Sequence, residues 1–151
     1  IAWAEPDFDF RPIMKEWSRE VPYELDFVHE AANMKRVERE SEECMRANKS
    51  SPLYFRAAFP QVYDQLTTQK VLTMSFIDGF KVTDVESLKK HRVDRDELVR
   101  NIARAFGNQI FRYGFFNGDP HPGNILVQID KNGRALPALL DFGLTKEIDD
   151  K

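Results

Sequence analysis

Apolar positions along the chain follow three rhythms, and each predicts a different kind of element. Leu25, Val28, Ala31, Ala32, Met34 and Val37 recur at spacings of three and four, which predicts a helix from Pro22 to about Asn48. Its second half (Arg36, Glu38, Arg39, Glu40, Glu42, Glu43) is charged and reads as a solvated face. Leu98, Ile102, Phe106, Ile110 and Tyr113 give a second helical stripe, which reads as core. Asp94 with Glu97 opens that helix and Gly114 closes it. Two shorter helices are predicted as well. One runs from Pro12 to about Arg19, with Ile13, Met14 and Trp17 on one side, and the other from a Thr83/Glu86 capping box to about Lys90.

The second rhythm is extended. Phe55 to Tyr63 and Lys70 to Ile77 read as strands joined by a polar turn at Asp64 to Gln69, the second strand ending at Asp78-Gly79. The third is a pair of short apolar runs, Ile125 to Val127 and Leu136 to Leu140, separated by a turn at Asn132-Gly133. Residues 1–11 read as an extended lead-in, and the charged stretch from Lys146 to Lys151 adds no closing element. Helices and strands mixed in this way indicate an α+β class.

Composition narrows the picture only slightly. The 151 residues carry a net charge of -3, with 42% hydrophobic and 31% charged residues, the balance of one globular domain or a large piece of one. No basic excess or basic-aromatic stripe points to nucleic acid. The lone Cys44 excludes an intrachain disulfide and reads as an ordinary helical thiol. The histidines at 29, 91 and 121 lack zinc-ligand spacing. No apolar run is long enough for a membrane span. The first residue is Ile1 rather than Met, as in an excerpt of a longer chain.

Chemistry enters with the stretch Phe-Phe-Asn-Gly-Asp-Pro-His-Pro-Gly-Asn-Ile-Leu-Val from Phe115, followed by Leu-Leu-Asp-Phe-Gly ending at Gly143. Pro120, Pro122 and Gly123 keep the segment between Asp119 and Asn124 from being helical. Two strands joined by a turn return to one edge, so Asp119, Asn124 and Asp141 are predicted to converge. Three such side chains suit a hard divalent cation together with a general base. Asp-x-x-x-x-Asn followed by Asp-Phe-Gly supplies, in order, the parts that phosphoryl transfer needs. On the long helix Asp26 and Glu30 share a face, with Glu24 part of a turn away; periodicity alone leaves open whether these are surface acids or part of a site.

With those motifs in view the chain resembles the UbiB family of atypical protein-kinase-like proteins, also called aarF-domain kinases, over essentially its whole length. Glu24-Leu25-Asp26 is similar to that family's Glu-x-Asp motif and Glu30 to the acid of the kinase C-helix. Gly118 to Asn124 is similar to its catalytic loop, and Asp141-Phe142-Gly143 to its metal-binding motif. A weaker likeness, through Asp84 to Leu88 and Asn117 to Pro122, is to plant-type members linked to a β-lactamase-like domain.

The resemblance implies a two-lobed protein-kinase-like fold, here incomplete. Residues 1–77 would hold the C-helix and the last small-lobe strands. Residues 78–151 would hold the end of the hinge, large-lobe helices, catalytic loop and metal motif. It implies ATP and Mg2+ as cofactors. Asp119 would act as base or substrate orienter, and Asn124 and Asp141 as magnesium ligands. His121 stands in the catalytic loop where ordinary protein kinases carry a lysine. Glu30 would pair with a nucleotide-binding lysine, and the hinge, with Met74 and Phe76, would meet adenine. Glu24 and Asp26 would occupy the region where a protein substrate otherwise binds.

The implied substrate is a small molecule, a lipid or a quinone precursor, in support of ubiquinone or related synthesis, with no nucleic acid. Peripheral membrane association and a mitochondrial or plastid location go with it. The family's Lys-x-Gly-Gln segment, nucleotide loop and lysine would all precede Ile1, so the fragment alone is expected to be inactive. Two other readings stay open: a small-molecule kinase resembling aminoglycoside and choline kinases, which share a His-bearing loop, and a pseudokinase that binds nucleotide or lipid without turnover.

Overall fold

The computed structural model describes residues 9–15, 18, 26–47 and 49–148. The long helix, α1, runs Phe27–Arg46. It starts there because Asp26, itself extended, accepts the Val28 N–H at 3.0 Å and satisfies one of the otherwise unpaired first-turn donors. Ala31, Met34, Val37, Ser41 and Cys44 form its buried line, so the apolar stripe continues into the half that reads as charged. There Arg36 pairs with Glu40 one turn on, at 3.0 Å. The proposed start at Pro22, along with Glu24, Leu25 and Trp17, lies outside the described residues. Residues 11–15 and 18 are helical, but Ile13 and Met14 are 44% and 58% exposed rather than buried on a shared face.

The two strands expected at Phe55 to Tyr63 and Lys70 to Ile77 are not continuous strands. They are extended segments joined by isolated bridges, Val62 to Met74 and Thr68 to Val71. The reason lies at Pro60, which is buried and has no N–H to give to a ladder. Before it, Ala58 pairs with the strand Ala135–Leu139, donating to Pro137 O at 2.8 Å and accepting from Leu139 N at 3.1 Å. After it, Tyr63 N donates to Thr73 O at 2.9 Å and Ser75 N to Gln61 O at 2.8 Å. The segment changes partner at the proline, and neither pairing lasts. The polar turn between the segments contains a 3-10 turn, Asp64–Leu66.

Strand β1 is short, Phe80–Lys81, and lies against the strand Ile125–Ile129. It can approach because Gly79 precedes it: a Cβ there would sit 2.8 Å from the Val127 carbonyl oxygen. Helix α2, Val85–Lys90, is capped by Asp84 and not by Thr83. The Asp84 carboxylate accepts from Glu86 N, Ser87 N and Ser87 Oγ, and these bonds, the hydroxyl's first, lower its pKa. Helix α3, Arg95–Asn108, does begin at Asp94, which accepts the Glu97 N–H at 2.9 Å. The Glu97 carboxylate turns to Arg56 instead of closing a capping box.

The expected stripe on α3 is partly displaced. Leu98 is buried, but Ile102, Phe106, Ile110 and Tyr113 are half-buried, and the innermost line is Asn101, Ala105, Asn108 and Gln109. Beyond Asn108 the helix widens into a π turn, Gln109–Tyr113, and ends where Gly114 adopts φ 63°.

The chain then makes β2 (Phe115–Asn117), a 3-10 turn (Pro122–Asn124), β3 (Ile125–Ile129), β4 (Ala135–Leu139) and β5 (Thr145–Glu147). β1, β3 and β4 form one antiparallel sheet with β3 central, while β2 and β5 form a separate antiparallel pair. The hairpin predicted around Asn132-Gly133 is present, its register running from Ile125 opposite Leu139 to Ile129 opposite Ala135. One core joins α1 (Met34, Val37, Cys44), Phe55, Ala105 of α3, Phe115, Ile125, Leu139 and Phe142. A smaller cluster of Leu88, Leu98 and Val127 seats α2 and α3 on the sheet. Among the described residues, no helix is long and apolar enough to cross a membrane.

Candidate active site

The β3/β4 hairpin brings its two ends together, and the predicted convergence follows from that pairing. Leu140 N donates to Asn124 O at 3.1 Å, so the residue before β3 meets the residue after β4. Their neighbours then touch through side chains: Asn124 Nδ2 donates to Asp141 Oδ2 at 3.0 Å. Asp119 lines a cavity of about 340 Å³ together with Phe27, Glu30, Asp141, Gly143 and Leu144. Asp119 itself is exposed.

The loop that presents Asp119 is tied from within. Asn117 Oδ1 accepts the Asp119 N–H at 2.7 Å, and Asp119 O accepts the His121 N–H at 2.7 Å. His121 Nδ1 accepts the Gly123 N–H at 3.0 Å, so His121 caps the turn that carries Asn124.

Helix α1 grips the Asp-Phe-Gly segment from the other side. Glu30 Oε1 accepts the Phe142 N–H at 3.4 Å, and Asn33 Nδ2 donates to Phe142 O at 3.1 Å. The Phe142 ring, fully buried, lies 6.3 Å from that of Phe59. Glu30 is itself 9% exposed. Desolvation first and the nearby Asp141 carboxylate second push its pKa up, while the Phe142 N–H pulls it back. It is a buried acid with an acidic neighbour and no cation paired to it among the described residues.

A second cavity, of about 500 Å³, adjoins the first through Phe27, Glu30 and Asp141. Its other walls are Lys70, Val71, Leu72, Met74 and Leu140. A largely apolar cavity beside a polar, acid-lined one suits a ligand with an apolar end and a polar end. Met74 is in the wall; Phe76 is not. Phe76 is 89% exposed, because pairing with the preceding segment ends at Ser75 and the chain leaves that edge. Asp26 faces the start of α1 as its cap, and Glu24 lies outside the described residues.

Asn33, Asn117 and Gln109 were missed by sequence reasoning. Each is a buried amide whose partner is a backbone group, so no spacing of acids or histidines marks them.

The donor set can be tested against a divalent cation. No group of three or more His, Cys, Asp and Glu among the described residues is arranged to hold a metal. What exists is one carboxylate and one amide in contact. That pair suits magnesium, which keeps several waters and shares few protein ligands with substrate phosphates, better than it suits a metal held in a full protein cage. Asn124 turns its nitrogen toward Asp141; half a turn of the amide would present its oxygen.

Residues 2–151 match the family model described as the ABC1 atypical kinase-like domain. The chain belongs to the ABC1 family. The ABC1 sequence here is 39% identical over 145 residues to a probable serine/threonine-protein kinase, abkB, of Dictyostelium discoideum, covering 96% of this chain and 20% of that protein. It is 36% identical over 140 residues to AarF domain-containing protein kinase 1 of Gallus gallus, covering 92% of this chain and 25% of that one.

A protein of Arabidopsis thaliana, activity of bc1 complex kinase 8, named as chloroplastic, is 34% identical over 93% of this chain and 17% of its own length. The ABC1 chain thus spans about a quarter or less of the length of these relatives. Among solved structures, the complex of Rv3197 with erythromycin from Mycobacterium tuberculosis matches with a TM-score of 0.58 at 22% identity, over 95% of this chain and 32% of that one. The fold is therefore a partial kinase-like α+β fold.

Proposed function

We propose that the ABC1 chain carries the phosphate- and metal-binding half of an ATP- and Mg2+-dependent phosphotransferase or ATPase of the UbiB type. The observation that carries this reading is the contact of Asn124 with Asp141, which lines the same cavity as Asp119. Asn124 and Asp141 would hold magnesium, which when bound neutralises phosphate charge. Asp119, exposed at the cavity, would orient the acceptor hydroxyl and take its proton. The slot of Phe27, Val71, Leu72, Met74 and Leu140 would take the adenine. Glu30, buried against Asp141, would pair with a lysine supplied from elsewhere in the full-length protein.

In this reading residues 1–77 serve the small lobe and residues 78–151 the hinge end and large lobe. The acceptor is a small molecule or a lipid, including isoprenoid-quinone precursors. The full-length protein works in a plastid or mitochondrion, at a membrane surface. The plastid assignment rests on the relative named as chloroplastic. His121 gives no separate support to a small-molecule kinase of the aminoglycoside type, since its Nδ1 is used within the loop.

The test is Asp141→Asn in the full-length protein, with nucleotide affinity measured across a magnesium titration. Magnesium-dependent binding should weaken by about 10-fold or more; an unchanged affinity would sink the proposal.

A further inference from the structure

We infer that Gln109 and Asn117 form a two-amide relay that sets the spacing of Asp119 and Asp141, which makes them positioning residues for the site proposed above, on whose reading the inference rests. The relay starts in the π turn. Gln109 is the first residue of that turn, 2% exposed, and its side-chain Oε1 accepts the Asn117 N–H at 3.0 Å. Asn117, 8% exposed, then uses both ends of its own amide. Oδ1 accepts the Asp119 N–H at 2.7 Å, and Nδ2 donates to the Asp141 backbone oxygen at 2.6 Å. One side chain thus holds the backbones of both acids, and Gln109 holds the residue that does so.

Two further observations point the same way. Among the described residues the Gln109 Nε2 is buried with no hydrogen-bond partner, an arrangement that costs stability and that an apolar side chain would avoid. The oxygen at the other end of the same amide is what such a side chain would lose. The π turn itself is anchored on its outer side, where Tyr113 Oη donates to Glu40 O at 2.7 Å and Arg112 reaches Glu43 at 3.3 Å. The relay is therefore fixed to α1, the helix that also holds Phe142 through Glu30 and Asn33.

The experiment uses the full-length protein with Gln109→Leu, Asn117→Ala and the conservative Gln109→Glu, which keeps an oxygen where the Asn117 N–H points. Two readouts are taken. In the first, half-saturating magnesium for nucleotide binding should rise about 10-fold in Gln109→Leu and Asn117→Ala. Nucleotide binding without magnesium should stay unchanged, and Gln109→Glu should restore much of the loss. In the second, amide hydrogen exchange at Asn117 and Asp119 should quicken at least tenfold in Gln109→Leu while Leu139 and Val127 keep wild-type rates.

Magnesium dependence unaltered by both disruptive variants, or exchange that quickens everywhere or nowhere, would overturn the relay. A wild-type protein with no magnesium dependence at all would remove the proposed function, and the exchange readout would still decide for or against the relay.

Discussion

Glu30 is the residue whose energetics conflict most with its surroundings. Its carboxyl is desolvated and faces Asp141, so the fold binds its proton more tightly than the unfolded chain does. Stability from this group therefore falls as pH rises from the ordinary glutamate range through the raised folded value. Glu30→Gln keeps an oxygen for the Phe142 N–H and removes the buried charge. In this chain it should raise stability at neutral pH by about 1 kcal/mol, or roughly 2–4 °C in Tm. It should also flatten the decline of stability as pH rises above the ordinary glutamate range in denaturant unfolding. A less stable variant at pH 7 would show that the charge is compensated by a contact these residues do not contain.

At this same scale the sequence was legible where a residue type was rare and its spacing informative. Asp119, Asn124 and Asp141 could be picked from one loop and one tripeptide. Asn33 could not, since it bonds a carbonyl 109 residues away, and nothing in the neighbourhood of an asparagine reveals such a partner. The resemblance places both Met74 and Phe76 at a hinge that meets adenine. The end of pairing at Ser75 sends them to different places.

At the level of elements, periodicity found α1, α3 and the β3/β4 hairpin because each has a complete local signal, a stripe with a cap or two runs around an Asn-Gly turn. It overstated the segments around Pro60, where the side-chain pattern is strand-like but the backbone lacks a donor. It also chose the wrong cap for α2. Thr83 fits the capping box by spacing, yet Asp84 stands one residue nearer and accepts two backbone N–H groups and the Ser87 hydroxyl.

The two helix starts offer a paired test. Asp94→Ala should cost about 1 kcal/mol in urea unfolding, because the Glu97 N–H loses its acceptor. Thr83→Ala should stay within about 0.5 kcal/mol of wild type. Equal losses would mean that Thr83 also caps α2.

For the whole molecule, the core runs through both halves of the chain, from Met34 to Phe142, and the site sits where those halves meet. That distribution was the least legible feature, because it depends on which distant faces meet rather than on any local pattern. It also carries a consequence in time. The contacts that complete the site join Glu30 and Asn33 to Phe142, with sequence separations of 112 and 109 residues, whereas the hairpin pairs are local. Contacts this distant close late, after local ones have formed.

Pulse-labelled hydrogen exchange during refolding should therefore protect Val127 and Leu139 before the Phe142 amide. Simultaneous protection would place Phe142 in the folding nucleus. On a ribosome adding roughly 5–20 residues per second, helix α1 waits on the order of ten seconds before Phe142, its partner at the site, is made. The helix that completes the site is thus open to a chaperone for that interval, before its contacts with Phe142 can form.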